Sequence, residues 1–240
     1  TFFFRLNVTR PPFDDPRVRR AFGMAIDREA LVEDILRGGE QPAYHYTPPN
    51  TAGYTAEARV TQDVQAARAL LAEAGYPDGE GFPTVELLYN TSEENRIVCE
   101  AVQQMWRTGL GVDVRLLNQD WKVYLASMRE LDYDIARSRW IGDVVDPINF
   151  LEMYLTGSGN NRTGYADPEY DRLIRAAYAE AGHGARLALL QQAEARLLAA
   201  APVLPVNFLT NRYLQAEAVQ GHHPNLLGLR RWQDLSLATE

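Results

Sequence analysis

The feature that most constrains this chain is a hydrophobic period that switches repeatedly between two and 3.6 along its middle. Thr84 to Tyr89 reads as a strand. Beyond Ser92, a candidate helix cap, Ile97, Val98, Ala101, Met105 and Trp106 form one helical stripe that Gly109 and Gly111 break. Val112 to Leu117 then alternates cleanly. Asp120 caps a short helix to Glu130 with Trp121, Tyr124 and Leu125 expected inward, and Tyr133 to Arg139 is the next strand. Strands alternating with helices imply an α/β fold, a sheet flanked by helices.

The flanks extend the same pattern. Phe2 to Val8 reads as a strand and Pro11-Pro12 keeps the next loop extended. Asp15 is an N-cap with Pro16 at the first helical position. The apolar stripe from there to Arg37 slips near Asp27, which implies two helices meeting, with Asp27 capping the second and Gly38-Gly39 ending it. Gln41 to Tyr54 is irregular and carries Tyr44, His45, Tyr46 and Tyr54; a loop of this length is uncommon without a role. A helix follows over Thr61 to Ala74. Later come helices over Asp167 to Glu180 and Ala185 to Ala200, then strands over Val203 to Phe208 and Arg212 to Glu217. Val219 to Glu240 is the least regular part. No repeat and no Gly/Ser linker appears, so we expect one lobe rather than two.

A net charge of −8 over 240 residues argues against nucleic acid and against an anionic membrane surface as partners. The single Cys99 cannot form an intrachain disulfide, and no Cys/His cluster has zinc spacing. No apolar run approaches the ~20 residues of a membrane span. The sequence opens inside a strand-like run, Thr1-Phe2-Phe3-Phe4, with neither an initiator Met nor a signal peptide, so a processed or excised piece is expected.

Catalytic signatures are lacking: neither a G-x-S-x-G elbow nor H-E-x-x-H occurs. His222-His223 lies in the irregular tail. Asp143 and Asp146 are a possible carboxylate pair, but Asp146 precedes Pro147 and fits a helix cap. The loop Gly157 to Asn161 lacks the lysine and the strand–Gly–helix pattern of a phosphate site. No nucleophile has an adjacent base, so we expect a binding protein and not an enzyme. The strongest binding candidate is Tyr133 to Leu151, Y-D-I-A-R-S-R-W-I-G-D-V-V-D-P-I-N-F-L, where charges stand beside apolar residues. Arg137 is a charge inside a strand, kept for solvent or for an anion; Arg139 shares its face but sits nearer the end. Trp140 and Trp121 stand close to strand ends, where open α/β sheets bind ligands, whereas Trp106 on its helical stripe belongs to the core.

Several passages together carry a family resemblance. They include P-P-F-D-D-P-R-V-R-R-A at Pro11 to Ala21, A-I-D-R-E at Ala25 to Glu29, and P-A-Y-H-Y-T-P-P at Pro42 to Pro49. They continue with L-L-A-E-A-G-Y at Leu70 to Tyr76, L-L-Y-N-T-S at Leu87 to Ser92, L-L-N-Q-D-W-K at Leu116 to Lys122, and S-G-N-N at Ser158 to Asn161. In this order and spacing the chain resembles the oligopeptide- and dipeptide-binding members of the ABC-importer solute-binding proteins, extracellular family 5. The resemblance implies a periplasmic-binding-protein-like, type II clamshell lobe with a mixed sheet. It makes residues 1–240 the C-terminal lobe of a two-lobed protein without its N-terminal lobe, with residues 219–240 near the hinge or the absent lobe.

The same resemblance implies a peptide ligand, partnership with ABC permease subunits, no cofactor and no metal, and a periplasmic or extracellular place, with a lipoprotein anchor possible on the full-length protein. The family's W-x-x-D motif matches Trp140, Ile141, Gly142 and Asp143. By that match Asp143 holds the peptide ammonium and Trp140 helps wall a side-chain pocket. Arg137 matches a basic residue that meets a peptide carboxylate, and Trp121 matches a pocket aromatic. The chain departs from close oligopeptide binders at Met128, where they carry Arg, and at Asn95, where they carry His; both positions contribute to carboxylate recognition there, and Asn95 is counted with the expected ligand-binding residues. A glycoside, opine or nickel complex is the alternative solute on the same scaffold.

Overall fold

A computed structural model describes residues 1–223, 225, 227–229 and 231–238. Six strands make a mixed sheet in the order β2-β6-β1-β5-β3-β4. These are β1 (Phe2–Leu6), β2 (Gln41–Pro42), β3 (Val85–Asn90), β4 (Val114–Gln119), β5 (Ile135–Arg139) and β6 (Val203–Phe208). β3 is parallel to both β4 and β5, while β1 is antiparallel to β5 and β6. The α/β reading with a mixed sheet flanked by helices therefore holds.

Helices cover both faces because the central strands β1, β5 and β6 bury nearly all of both side-chain rows, while the edge strand β4 leaves Arg115 and Asn118 exposed. On one face Phe2, Phe4, Leu87, Ile135 and Leu204 pack against α1 (Pro16–Met24), α3 (Val64–Glu73) and α4 (Glu93–Leu110). On the other, Phe3 and Val203 meet α6 (Ile148–Leu151), α7 (Pro168–Ala179) and α8 (His183–Ala200). Leu88 and Ala136 meet α5 (Trp121–Glu130). Trp106 is fully buried and its indole N–H donates to the Phe22 carbonyl at 2.9 Å.

Of the expected caps the aspartates act, whereas Ser92 sits at the N-cap of α4 without a side-chain bond. The Asp15 carboxylate accepts from the Arg17 backbone N–H, and the Asp120 carboxylate from those of Lys122 and Val123. Asp27 accepts from the Ala30 N–H at the start of α2 (Arg28–Ala30), which continues as a π-helical turn over Leu31–Leu36. That turn ends on Arg37 in the left-handed region, one residue before the Gly38-Gly39 stop. Helix α3 starts at Val64 under an Asp63 cap, later than Thr61. The Asp146 carboxylate accepts from the Ile148 N–H and also pairs with Arg186 at 2.8 Å, so its role is structural.

The long loop over Gln41 to Tyr54 has a packing role. Tyr46 and Tyr54 are buried in the core under α8, and the Glu194 carboxylate on that helix accepts from the Tyr46 and Thr47 backbone N–H groups at 2.7 and 2.9 Å and from the Tyr54 hydroxyl at 2.9 Å. Burial dominates these bonds and pushes the Glu194 carboxyl above its ordinary range.

Two expectations fail. Arg212 to Glu217 forms no strand; the sheet ends at the two-residue β2, and Arg212 instead reaches Glu40 at 2.6 Å. Trp121 turns outward, 56% exposed, because it is the first residue of α5 and the buried stripe runs through Tyr124 and Met128. In the tail, β7 (Val219–Gln220) pairs with β8 (Ser236–Leu237) as a separate ribbon; residues 224, 226, 230, 239 and 240 of the segment expected to be irregular lie outside the described residues.

Candidate ligand-binding site

The parallel strands β3, β4 and β5 finish at one end of the sheet, at Asn90, Gln119 and Arg139. Helices α4 and α5 begin there, on opposite faces. The gap they leave is a cavity of about 460 Å³. This is the crevice outside strand carboxyl ends that open α/β sheets offer to ligands.

Four of the expected site residues line it: Arg137, Trp140, Trp121 and Asn95. Arg137 lies on β5 opposite Phe4, only 5% exposed, with its guanidinium 4.9 Å from the Phe2 ring centre. Its Nη1 donates to the Asn90 side-chain oxygen at 3.0 Å, and its buried Nε has no partner. Burial lowers its pKa, and an ordinary arginine has enough margin to stay charged. The Asn95 amide in turn donates to Asn90 at 3.1 and 3.2 Å, which fixes the acceptor that Arg137 uses. Below, the Tyr124 hydroxyl donates to the Arg137 carbonyl at 2.5 Å, and its ring stacks with Trp121 at 5.6 Å. Trp140 is anchored by its indole N–H to the Asn149 carbonyl at 3.1 Å.

The remaining three, Ile141, Gly142 and Asp143, lie outside the cavity lining, on the loop that leaves β5. Asp143 is exposed, and its backbone N–H donates to the Asn149 side chain at 2.9 Å. Ile141 and Val144 are 62% and 53% exposed. Gly142 packs on the Phe150 ring, where an added Cβ would come within 3.0 Å. Met128 lines the cavity as an apolar floor.

Sequence reading missed Arg5, Arg162, Asn90 and Glu94, and noted Arg139 without assigning it; all five line the cavity. Arg5, 5% exposed, donates to the Ser138 hydroxyl at 3.2 Å and to the Asn160 carbonyl at 2.7 Å. The signal that singled out Arg137, a charge inside a strand, was equally present in the F-F-F-R-L run of β1. Arg162 offers no such signal, since it sits in a Gly/Asn-rich loop.

Residues 1–162 match the Bacterial extracellular solute-binding proteins, family 5 Middle. Among curated proteins, the chain is 36% identical over 236 residues to the dipeptide-binding protein DppE of Bacillus subtilis, covering 93% of this chain and 43% of that one. It is 36% identical over 231 residues to the periplasmic murein peptide-binding protein MppA of Escherichia coli, covering 94% and 43%. Among solved structures, the Escherichia coli murein tripeptide binding protein MppA superposes with a TM-score of 0.89 at 34% identity, over 100% of this chain and 48% of that one. A periplasmic oligopeptide-binding protein from Borrelia burgdorferi gives 0.89 at 32%, over 99% and 48%. The chain thus spans somewhat less than half the length of these relatives, and its fold is that of a periplasmic-binding-protein lobe. It belongs to the bacterial extracellular solute-binding proteins of family 5.

Proposed function

We propose that this chain is one wall of the ligand cleft in a two-lobed receptor that captures oligopeptides outside the cytoplasmic membrane, in the periplasm or tethered by lipid at the cell surface, and hands them to the permease of an ABC importer. The carrying observation is Arg137: a buried guanidinium with one neutral acceptor, at the strand-end cavity that Trp121 and Trp140 also line. A buried cation without a counter-charge is costly unless a ligand supplies one, and a peptide carboxylate has the matching planar geometry. Trp121, Tyr124 and Trp140 offer faces for side chains, Asn95 holds the Asn90 acceptor in place, and Asp143 on the rim loop with Ile141 and Gly142 meets the peptide ammonium. Neither lobe performs chemistry on the ligand; closure of one lobe on the other is the work that binding does.

Calorimetric titration of the complete receptor with di- to pentapeptides and their N-acetyl forms tests this. Free peptides should bind and N-acetyl peptides bind much more weakly, with Asp143→Ala costing about 2–5 kcal/mol of affinity. Glu94→Gln belongs beside it, because Glu94 is the carboxylate that lines the cavity itself. Indifference to N-acetylation and to both substitutions would remove the ammonium site. Such a result would favour a non-peptide solute lying on the stacked Trp121 and Tyr124 rings.

A further inference from the structure

The cavity is far more cationic than the chain that forms it. Arg5, Arg137, Arg139 and Arg162 line it against one carboxylate, Glu94, in a protein whose net charge is −8. Among the described residues none of these four arginines is in an ion pair, whereas eleven salt bridges are formed elsewhere. Structural buried arginines in this same chain look different. Arg28 donates to the carbonyls of Ala43, Pro205, Gly23 and Ile26, with only its Nη2 left without a partner, and Arg19 to those of Ala200, Phe13 and Asp14. Arg137 has one acceptor, and the Nε atoms of both Arg137 and Arg162 are buried without a partner.

The four cations fall into two sets. Arg137 and Arg139 share one side of β5 by the strand period. Arg5 and Arg162 meet at the Asn160 carbonyl, which accepts from the Arg5 guanidinium at 2.7 Å and from the Arg162 backbone N–H at 3.0 Å. Arg5 also helps to depress the Arg162 pKa, second to burial. Like charges that line one cavity repel unless an anion joins them.

We infer that this pocket selects acidic peptides: Arg137 and Arg139 take one carboxylate of the ligand, and Arg5 with Arg162 take a second, supplied by an Asp or Glu side chain. This rests on the peptide reading above and adds to it a ligand class. One peptide carboxylate satisfies one of the two sets and leaves the other bare, while a Lys or Arg side chain would meet repulsion from both.

The test is calorimetry of the complete receptor with tripeptides of alanine carrying Glu, Gln or Lys at each position in turn. At one position or more, the Glu peptide should bind at least tenfold more tightly than its Gln isostere, about 1.4 kcal/mol, and the Lys peptide more weakly than either. The Glu preference should shrink as salt rises. In Arg5→Gln and in Arg162→Gln the Glu-to-Gln ratio should fall toward one, while Arg115→Gln, an exposed arginine outside the cavity, keeps it. Thermal melts of each variant separate this from misfolding. Equal affinity for Glu and Gln peptides at every position overturns this inference and leaves the peptide reading standing; it would mean that carboxylates from elsewhere in the receptor answer these arginines. Binding of none of the tripeptides overturns both.

Discussion

Arg137 and Asn90 face each other at 3.0 Å across the ends of two parallel strands, and the acceptor offered to the buried guanidinium is an amide oxygen, not a carboxylate. The pair holds the cation in position without neutralising it. A site built this way keeps its charge for whatever enters the cavity.

That relationship makes Asn90→Asp informative. The new carboxylate would pair with Arg137 inside the protein and compete with the ligand's carboxylate. Peptide affinity measured by calorimetry should fall at least tenfold, about 1.4 kcal/mol, and fall further than in Asn90→Ala, which leaves the cation free. Binding by Asn90→Asp as tight as the original would show that Arg137 does not touch the ligand.

Glu194 links α8 to the loop over Gln41 to Tyr54 from a fully buried position. Because its folded pKa is raised, the folded state holds a proton that the unfolded state gives up above the ordinary carboxylate range. Its contribution is therefore present at low pH and lost as pH rises through the folded pKa, at up to about 1.4 kcal/mol per pH unit. Glu194→Gln keeps the oxygen that accepts from Tyr46 and Thr47 and removes the titration. Urea melts across pH should show the variant gaining on the original as pH rises. Glu194→Leu strands both N–H groups and should lose several kcal/mol, more than about 2.

The two tryptophans nearest in sequence should behave oppositely. Trp106→Ala empties a fully buried site and removes the bond to the Phe22 carbonyl, so denaturant melts should report a loss of about 3–5 kcal/mol. Trp121→Ala, on an exposed ring, should change stability by no more than about 0.5 kcal/mol, while weakening peptide binding.

Cys99 lies on the buried face of α4, and burial pushes its thiol up to about 12. At about pH 8 a free thiolate is what reacts. Ellman's reagent should therefore leave the native protein unlabelled and titrate one thiol once it is unfolded.

The α/β class was legible because each middle element announces its own period, and caps such as Asp15, Asp27 and Asp120 carry their partners locally. Arg212 to Glu217 misled because alternation describes a strand without saying whether a sheet edge is free to receive it. Trp121 misled because the cap at Asp120 fixes where α5 begins but not which face the sheet buries; the buried side is the one that carries Tyr124, Ser127 and Met128, and Trp121 lies off it. At the site, Arg137 and Trp140 on and just after β5, Trp121 on α5 and Asn95 on α4 line one cavity. Arg5 carried the same signal as Arg137 but reaches the site through the Asn160 carbonyl, 155 positions away, and Arg162 stayed hidden because a loop position has no period to read.

The central claim is that Arg137 reads a peptide carboxylate in this cavity. Calorimetry of the complete receptor with one tripeptide as the free acid and as the C-terminal amide, each against the original protein and Arg137→Gln, tests it most directly. The account predicts that amidation costs the original about 2–5 kcal/mol, and that the same change costs Arg137→Gln much less, because only Arg139 is then left to meet the carboxylate. Equal penalties for amidation in both proteins would contradict it.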